Sequence, residues 1–444
     1  GTVGIGVVKI IQAHTDLLSA RAGRPVVITA ISARDRQKNR DADLSAYAWV
    51  DQATELATRD DVDVVVELVG GENGIAKETI ELALDNGKDV VTANKALLAV
   101  HGQALAERAE ANGRLIRFEA AVAGGIPVIK TITESLAGNR IRRVMGVMNG
   151  TCNYILTRMQ SAGLPYETVF EEARSLGYLE ADPTLDVGGI DASHKLAILA
   201  TLAFGTRVAF DGVEIEGIER VSIDDINRAA DMGYRIKLLG VAQMTGRGLE
   251  QRMSPCLVPC DSPLGQLEGG TNMVVIEGDA VGQIVLRGAG AGEGPTASAV
   301  MSDIIEIARG VRMPVFGQPA TTLGSPQPAR TAVPAAYYLR LTLADKPGAL
   351  AKVASVLGDA GISIDRMRQY GKHDEEGVAP VLIVTHKTTP EAIDHAIEAL
   401  PETGVIAGAP VELRIEEVAS RALDRAAAGA SAWTAHTLRE HVRS

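Results

Sequence analysis

The sequence predicts an α/β protein that begins with a doubly wound parallel sheet. Apolar runs at Val26–Ser32, Val62–Gly70 and Lys88–Asn94 are typical of buried strands. Helical stretches separate these runs at the spacing of strand–helix–strand units, which favours parallel pairing. From about residue 127 to residue 290 helical stretches precede extended ones, so we predict a second domain of α+β type there.

The chain opens with a glycine-rich turn, Gly1-Thr2-Val3-Gly4, that leads directly into a helical pattern. Such turns place the pyrophosphate of a dinucleotide on the first amides of the helix. We therefore predict a Rossmann-type dinucleotide-binding domain over residues 1–126 and 291–320, with these four residues at the cofactor. The first glycine of the motif and its strand would then lie upstream of Gly1. A loose glycine-rich terminus is the alternative.

The strand predicted at Val26–Ser32 continues into Ala33-Arg34-Asp35. This position usually selects the coenzyme, because an acid binds the ribose hydroxyls of NAD whereas an arginine suits the 2′-phosphate of NADP. Arg34 therefore favours NADP, while Asp35 leaves NAD open. Arg34 as a solvated loop residue is the alternative.

Carboxylates crowd towards one lysine, Lys195, in and near the segment 177–195. They are Glu172, Glu180, Asp182, Asp186 and Asp191. Lys195 is followed by an apolar run typical of a buried helix, where charges are costly unless they contact a ligand or one another. The cluster would suit a small substrate with an ammonium group, with the lysine left for proton transfer. The alternative is a helix N-cap at Asp191 with an ordinary surface ion pair to Lys195.

Two further segments are predicted to reach the ligand crevice or to border it. Lys95 follows the strand that ends in VVTAN, and ligands of open parallel sheets lie beyond the carboxyl ends of the strands. The segment Phe118–Lys130 carries Glu119 and a Gly124-Gly125 turn with open backbone carbonyls. These oxygens would suit a small hard cation, and an inter-domain hinge is the alternative.

About the first 325 residues resemble homoserine dehydrogenase, because six motifs occur in the order seen in that family. The motifs are GTVG at the start, TANK at 92–95, FEAAVAGGIP at 118–127, MNGTCNYIL at 148–156, GYLEADPTLDVGGIDASHKLAIL at 177–199 and GAGAGEGPTASAV at 288–300. The resemblance implies the reversible reduction of L-aspartate-4-semialdehyde to L-homoserine with NAD(P)H, in threonine, methionine and isoleucine biosynthesis.

The resemblance also implies the roles of individual residues. Lys195 and Lys95 would be the catalytic pair, and Glu180 and Asp191 would hold the substrate's ammonium, with Thr151 and Asp186 also at the substrate. A monovalent cation such as sodium is expected at Glu119 and the carbonyls of Val122, Gly124 and Ile126. Gly177, Gly292 and Lys95 are expected to line the cofactor.

Residue chemistry agrees with these roles. A hydride added to an aldehyde leaves an alkoxide, which needs a positioned proton donor. A free lysine titrates at about pH 10.4, so a second cation such as Lys95 would help to lower the pKa of Lys195. Pairing with Asp191 would raise that pKa, so we expect Asp191 to serve the substrate instead of the lysine.

The C-terminal part resembles the ACT domain. A Pro/Ser/Thr-rich linker at 321–336 precedes a strand–turn–helix–turn–strand pattern, and we predict a ferredoxin-like ACT domain over 337–415. The resemblance places Asp345, Pro347, Gly348 and Leu350 at a regulatory amino acid, with threonine the expected ligand. A dimerisation module is the alternative. Residues 416–444 are predicted to form a helical tail.

Composition excludes several classes. Aromatic residues make up only 3% of the chain and the net charge is −12, which argues against a nucleic-acid partner. Because no apolar run could span a membrane and no signal peptide is visible, we expect a cytoplasmic enzyme. We also expect a homodimer or homotetramer. A non-catalytic amino-acid sensor with a vestigial dehydrogenase half is the alternative function.

Overall fold

The computed structural model describes residues 1–179, 182–329, 331–370 and 377–418. Glu180 and almost all of the predicted helical tail lie outside the described residues. The helices are α1 (Thr2–Ala22), α2 (Ala53–Thr58), α3 (Ile75–Asp85), α4 (Lys95–Ala111), α5 (Val128–Lys130), α6 (Gly150–Ala162), α7 (Tyr166–Ser175), α8 (Thr184–Val187), α9 (Ile190–Phe204), α10 (Ile223–Asp231), α11 (Glu293–Ala308), α12 (Ala349–Asp359) and α13 (Pro390–Ala399). The strands are β1 (Ala30–Ile31), β2 (Ala48–Trp49), β3 (Val64–Glu67), β4 (Asp89–Thr92), β5 (Ile116–Arg117), β6 (Ile141–Val147), β7 (Glu214–Ile215), β8 (Tyr234–Thr245), β9 (Gly248–Pro259), β10 (Thr271–Gly278), β11 (Gly282–Ala289), β12 (Ala336–Ala344), β13 (Ile364–Gln369), β14 (Val378–Thr385) and β15 (Val411–Ile415).

The nucleotide-binding half contains a parallel sheet of β3, β4 and β5, which confirms the predicted α/β class. Every residue of β4 is buried, because α3 and α11 pack against this central strand. The strand predicted at Val26–Ser32 is wrong in extent. Only Ala30–Ile31 pair, with β2, in a separate two-stranded parallel sheet. Val27 is 70% exposed, so this apolar run is not covered on both sides as a buried strand would be.

The helix α11 returns to the nucleotide-binding half and packs along α1. A Cβ on Gly6 would lie 2.8 Å from the carbonyl oxygen of Glu293 and 2.9 Å from Cβ of Ala297, so only a glycine permits this approach. Lys9 of α1 reaches the carboxylate of Glu293 at 3.0 Å. The two helix starts therefore border the same crevice.

The middle of the chain forms an antiparallel sheet in the order β11-β10-β6-β8-β9. Helix α9 packs against β6, β8 and β9, and its residues from Lys195 to Thr201 are all buried. This apolar run confirms the buried helix that LAILATLAF predicts.

The C-terminal part folds as strand–helix–strand–strand–helix–strand, with the antiparallel order β15-β12-β14-β13. This ferredoxin-like order is the one expected of an ACT domain. Strand β15 also pairs in parallel with β9, through Arg414 with Cys256 and Ile415 with Leu257. The central sheet and the ACT sheet are therefore one continuous sheet of ten strands, in which β7 pairs with β9.

The segment predicted as a linker lies against the middle domain. Gly324 forms a bridge with Thr206, and Pro328 forms one with Leu249. In the described part of the chain, no helix has both the length and the apolarity to cross a membrane.

Candidate active site

Two loops that follow neighbouring parallel strands form one wall of the crevice. At the end of β3 the carboxylate of Glu67 accepts a hydrogen bond from Oγ1 of Thr92, the last residue of β4, at 2.6 Å. Asn94 donates from its side chain to the carbonyl of Gly71, and its Oδ1 caps the start of α4. These bonds hold Lys95, the first residue of α4, at the carboxyl edge of the sheet, as predicted.

The two lysines predicted to be catalytic meet at one carboxylate. Lys195 donates from Nζ to Oδ2 of Asp191 at 2.6 Å, and Nζ of Lys95 lies 2.9 Å from Oδ1 of the same residue. Lys195 also donates to the carbonyl of Met148 at 2.9 Å. Because Lys95 belongs to the nucleotide-binding half and Asp191 to α9, this carboxylate joins both walls of the crevice.

The expectation that Asp191 would stay apart from the lysine is wrong, because the two side chains are hydrogen-bonded. Burial would raise the pKa of Asp191, but Lys195 and Lys95 outweigh burial and hold that pKa well below its ordinary value. The alternative of an ordinary surface pair is also wrong, since Lys195 is only 8% exposed. The residue remains an anion shared by two cations.

Helix α9 begins one residue before Asp191. Gly189 is its N-cap, with a left-handed φ of 82°, so the N-cap predicted at Asp191 is wrong. Asp191 lies instead in the first turn, where the helix dipole favours a negative charge. Lys195 follows one turn later on the same face, which brings the two side chains together.

Sequence reasoning missed Asn149, which organises the carboxylates. Its side-chain nitrogen donates to Asp186 at 3.0 Å and to Asp191 at 3.5 Å, while its Oδ1 accepts from the amide of Cys152 at the start of α6. The sequence did carry a signal for Asn149, because an asparagine directly before Gly-Thr in MNGTCNYIL is typical of a helix N-cap.

His194 was also missed, although it precedes Lys195 directly. Its ring lies 4.3 Å from the ring of Phe210, centroid to centroid. Burial lowers the pKa of His194, and Asp191 opposes that shift only in part, so the imidazole is neutral near pH 7. It adds a half-buried, uncharged wall beside the lysine.

The predicted carboxylate cluster is only partly assembled among the described residues. Asp186 is buried in α8 and bonded to Asn149, and it lies at the site. Glu172 does not: it pairs with Arg158 at 2.9 Å and accepts from the hydroxyl of Tyr154. Glu172 is therefore paired with Arg158, and its nearness to Lys195 in the sequence does not bring it to the site.

The side of the crevice predicted to bind the substrate continues through the first turn of α6. Thr151 donates from Oγ1 to the carbonyl of Tyr178 at 3.0 Å, and the ring of Tyr178 stacks on Tyr154 at 4.5 Å. Gly177 follows Leu176, the C-cap of α7, and has a left-handed φ of 76°. Thr151 of α6 therefore lies against the loop that contains Gly177 and Tyr178.

The side of the crevice predicted to bind the cofactor contains the predicted glycines at two helix starts. A Cβ on Gly1 or Gly4 would meet only Leu68, at 4.0 Å and 3.9 Å, so space remains above the start of α1. Gly292 is the N-cap of α11, with φ 122°. Gly124 packs on the neighbouring loop, since its Cβ would lie 2.4 Å from the carbonyl oxygen of Gly290. Glycines therefore permit close backbone approach on both sides of the crevice.

A basic cleft lies beyond the end of β1. Its volume is about 350 Å³, and its lining includes Arg36, Lys38, Arg40 and Trp49. The guanidinium groups of Arg36 and Arg40 each lie 5.6 Å from the centroid of the Trp49 ring. Arg34 is exposed and is not among the residues that line this cleft.

Glu119 lies in a buried, highly charged region. Its carboxylate accepts hydrogen bonds from the amides of Ile129 and Lys130, both at 2.9 Å. Burial raises the pKa of Glu119 to about 7, despite those two bonds. The adjoining cavity of about 20 Å³ is also lined by Asp303 and Glu306. In the described residues no group of three or more His, Cys, Asp or Glu side chains is arranged to hold a metal ion, so a cation here would depend on backbone carbonyls.

The predicted regulatory loop enters helix α12. Asp345, Pro347 and Gly348 are exposed, and Gly348 is the N-cap of α12 with φ 83°. The amide of Asp345 donates to the carbonyl of Gly377 at 2.8 Å. Leu350 is half-buried behind the loop.

The parallel sheet ends at a crevice that is bordered by a glycine-rich helix start and by a buried lysine. These features are typical of an oxidoreductase that uses a nicotinamide coenzyme. Comparison with known families agrees. Residues 1–119 match the NAD-binding domain of homoserine dehydrogenase, residues 127–305 match homoserine dehydrogenase, and residues 337–402 match the ACT domain.

The chain belongs to the homoserine dehydrogenase family, as its motifs predict. It is 42% identical to homoserine dehydrogenase of Pseudomonas aeruginosa, over 94% of this chain and 97% of that one. It is 38% identical to the Bacillus subtilis enzyme, over 94% and 96%. A crystal structure from Thiobacillus denitrificans has a TM-score of 0.88 at 38% identity, covering 94% and 96%. A hyperthermophilic archaeal homoserine dehydrogenase in complex with NADPH has a TM-score of 0.60 at 28% identity, covering 70% and 96%.

Proposed function

We propose that the chain interconverts L-aspartate-4-semialdehyde and L-homoserine with NADP(H), and that Lys195 is the proton donor. The observation that carries this assignment is the buried Lys195 held by Asp191 and the Met148 carbonyl. The coenzyme, when bound, would supply the hydride for the aldehyde carbon. Lys195 gives its proton to the carbonyl oxygen, which becomes the hydroxyl of homoserine. In the reverse direction neutral Lys195 takes that proton back.

Lys95 and Asp191 set the conditions for this transfer. Lys95 brings a second positive charge to the shared carboxylate, which reduces the hold of Asp191 on the Lys195 proton. The substrate's ammonium is held by Glu180 and Asp191, with Asp186 and Thr151 beside them. When that ammonium binds Asp191, the carboxylate is drawn further from Lys195, so substrate binding itself prepares the proton donor.

A non-catalytic sensor is the second candidate, and the assembled lysine–aspartate group argues against it. A vestigial dehydrogenase half would not need a buried lysine and a half-buried lysine beside a shared anion, because such groups are costly to bury. A sensor would bind an amino acid but not NADPH.

Substituting Lys195 tests the proposed reaction. The purified chain should oxidise homoserine with NADP⁺, followed by absorbance of the reduced nicotinamide. Lys195→Ala should lower kcat by about 100-fold or more, the usual effect of removing a general acid–base group. NADPH affinity, measured by fluorescence titration, should be little changed because Lys195 contacts no predicted coenzyme site. Near-normal turnover in this variant would rule out Lys195 as the donor.

We propose that the basic cleft selects NADP. Its cations suit a 2′-phosphate, and Trp49 offers an aromatic face. The loop that forms the cleft is hydrogen-bonded to helix α1, because the side chain of Gln12 donates to the carbonyl of Asp43 at 2.7 Å. Residues of the chain therefore fit the group: the open start of α1 for the pyrophosphate, and Arg40 with its neighbours for the phosphate. We therefore propose that Arg40, and not the exposed Arg34 outside the cleft, binds the 2′-phosphate.

A matched pair of arginine variants distinguishes these assignments. Arg40→Ala should raise KM for NADPH by about 10-fold or more, since it removes a charge-assisted bond to phosphate, while KM for NADH stays near the wild-type value. Arg34→Ala is the control and should change neither constant by more than about twofold. The reverse result would return the role to Arg34, and equal losses for both coenzymes in Arg40→Ala would make Arg40 structural.

We further propose a monovalent cation, sodium, at Glu119 and the carbonyls of Val122, Gly124 and Ile126. The support is electrostatic. Within the described part of the chain, three buried carboxylates (Glu119, Asp303 and Glu306) face two cations (Arg117 and Lys130) in this region. Consecutive left-handed residues, Ala123 and Gly124, turn the chain sharply within the proposed carbonyl set. One added positive charge would balance the group.

Sodium and protons should compete for Glu119. The pKa of Glu119 is raised to about 7 without a cation, so the carboxylate is ionised above pH 7 and neutral below it. Sodium should therefore raise the thermal midpoint more at about pH 8.5 than at about pH 6, compared with choline at equal ionic strength. Glu119→Gln should abolish the difference, and Glu134→Gln, an exposed neighbour, should keep it. A shift independent of pH in the wild type would contradict the site.

We propose that the ACT domain binds threonine at Asp345, Pro347, Gly348 and Leu350 and that this binding inhibits the enzyme. The start of α12 offers backbone amides to a carboxylate, and Gly348 allows close approach. In this proposal the effect of threonine reaches the active site through the continuous sheet. A buried ion group joins the two parts of the sheet at their junction, and it consists of Arg252 of β9, Arg414 of β15 and Glu416. The exposed edges β11 and β13 would suit assembly into a homodimer or homotetramer.

Threonine titrations test this regulation. L-threonine should give a calorimetric binding signal with the full chain and should inhibit homoserine oxidation. Asp345→Ala should weaken both by about 10-fold, because it removes a carboxylate that would meet the effector's ammonium. Asp359→Ala, at the other end of α12, is the control. Absence of binding heat in the wild type would refute threonine as the effector.

A further inference from the structure

The turn between β6 and α6 holds both members of the central ion pair. Met148 and Asn149 connect the strand to the helix, and both residues are buried. The carbonyl of Met148 accepts a hydrogen bond from Nζ of Lys195 at 2.9 Å. The side-chain nitrogen of Asn149 donates at 3.5 Å to Oδ2 of Asp191, the oxygen that also accepts from Lys195. Two neighbouring residues of one turn therefore contact the lysine and its carboxylate separately.

The side chain of Asn149 has two different sets of partners. Its Oδ1 accepts from the backbone amide of Cys152 at 2.8 Å and so caps helix α6. Its Nδ2 donates to Asp186 at 3.0 Å as well as to Asp191. A helix cap needs only an acceptor oxygen, which serine or aspartate would also supply. Asparagine differs from both because it adds an uncharged NH₂ group with two donors, so the cap alone does not account for an asparagine here.

The NH₂ group of Asn149 lies within hydrogen-bond distance of two carboxylates. Asp186 is buried and Asp191 is largely buried. A hydrogen bond from a neutral amide stabilises an ionised carboxylate without adding a charge. Because Oδ2 of Asp191 is shared between Asn149 and Lys195, the amide reduces the part of the carboxylate's negative charge that acts on the lysine.

We propose that Asn149 is a positioning residue for the proton transfer, which holds Asp186 and Asp191 in place and weakens the hold of Asp191 on the proton of Lys195. This inference rests on the proposed function and deepens it. Lys195 must be neutral before it can take the proton of homoserine's hydroxyl. The weaker hold of Asp191 therefore extends homoserine oxidation to lower pH.

The pH profile of kcat for homoserine oxidation isolates this role. The charged and titratable groups next to the ion pair come from four helices and include Asp191 and His194 of α9, Lys95 of α4, Asp186 of α8 and Cys152 of α6. Burial raises the pKa of the Cys152 thiol well above its ordinary value, and burial lowers the pKa of His194, so both are neutral near pH 7. The rise of kcat with pH above neutrality is therefore set by the two lysines, of which Lys195 exchanges the proton.

Two substitutions separate the donors of Asn149 from its cap, because serine and aspartate both cap helices. Asn149→Ser should lower kcat by about 10-fold, the lower end of the effect of losing hydrogen bonds to charged groups. It should also move the rise of kcat to higher pH by about half a unit or more. Asn149→Asp keeps the size and the cap but adds a third carboxylate beside Asp186 and Asp191, so both effects should be larger than in the serine variant.

KM for NADP⁺ and the thermal midpoint are measured beside the pH profile. KM for NADP⁺ should change by less than about twofold in both variants, because Asn149 acts through the carboxylates. Thr389→Ala is the control, since it removes the N-cap of α13 in the ACT domain. It should lower the thermal midpoint and leave the pH profile unchanged.

The outcomes separate this inference from the reaction itself. If the wild-type chain did not oxidise homoserine, the proposed function would fail. If it did, but Asn149→Asp had the wild-type kcat and pH profile, Asn149 would be only a cap and the inference alone would fail. Equal losses of kcat in both variants, with an unshifted profile and a lowered thermal midpoint, would make the residue structural and would also overturn it. If the aspartate variant did not fold, the serine variant would decide: a shifted profile supports the inference and an unshifted one overturns it.

Discussion

The carboxylate of Asp191 between Lys195 and Lys95 is the interaction on which the site depends. It belongs to the first turn of a buried helix, yet one of its two cations comes from the opposite wall of the crevice. The same ion pairs that we propose for the proton transfer therefore also join the two walls of the crevice. Asn149 extends this group to Asp186, so that the acidic side of the site is a bonded network and not a set of independent carboxylates.

Much of this site could be predicted from the sequence because its chemistry is concentrated in short segments. Lys195 and Asp191 are one helical turn apart, and the apolar run after Lys195 indicates burial directly. Lys95 follows a buried strand, and the topology of parallel sheets then fixes its side of the crevice. The family and the fold class were predicted correctly for the same reason, since six motifs each combine a local structure with a chemical group.

The remaining features depend on contacts between distant segments, which local patterns do not encode. Val26–Thr29 has the composition of a strand, but a strand also needs a neighbour, and only Ala30–Ile31 has one. Sequence alone does not distinguish Arg34 from Arg40, and the role that we propose for Arg40 depends on its position beside Trp49 in the folded loop.

The junction of β15 with β9 has a consequence for how this protein could be shortened or recombined. A sheet edge that loses its neighbour exposes unpaired amides and carbonyls, which readily pair with other chains. Removing the ACT domain would open β9 along Cys256 and Leu257 and would also leave Arg252 without its partner Glu416. The ACT domain is therefore a structural cover for the catalytic sheet as well as a sensor, and any shorter form of the enzyme would need another means of closing that edge.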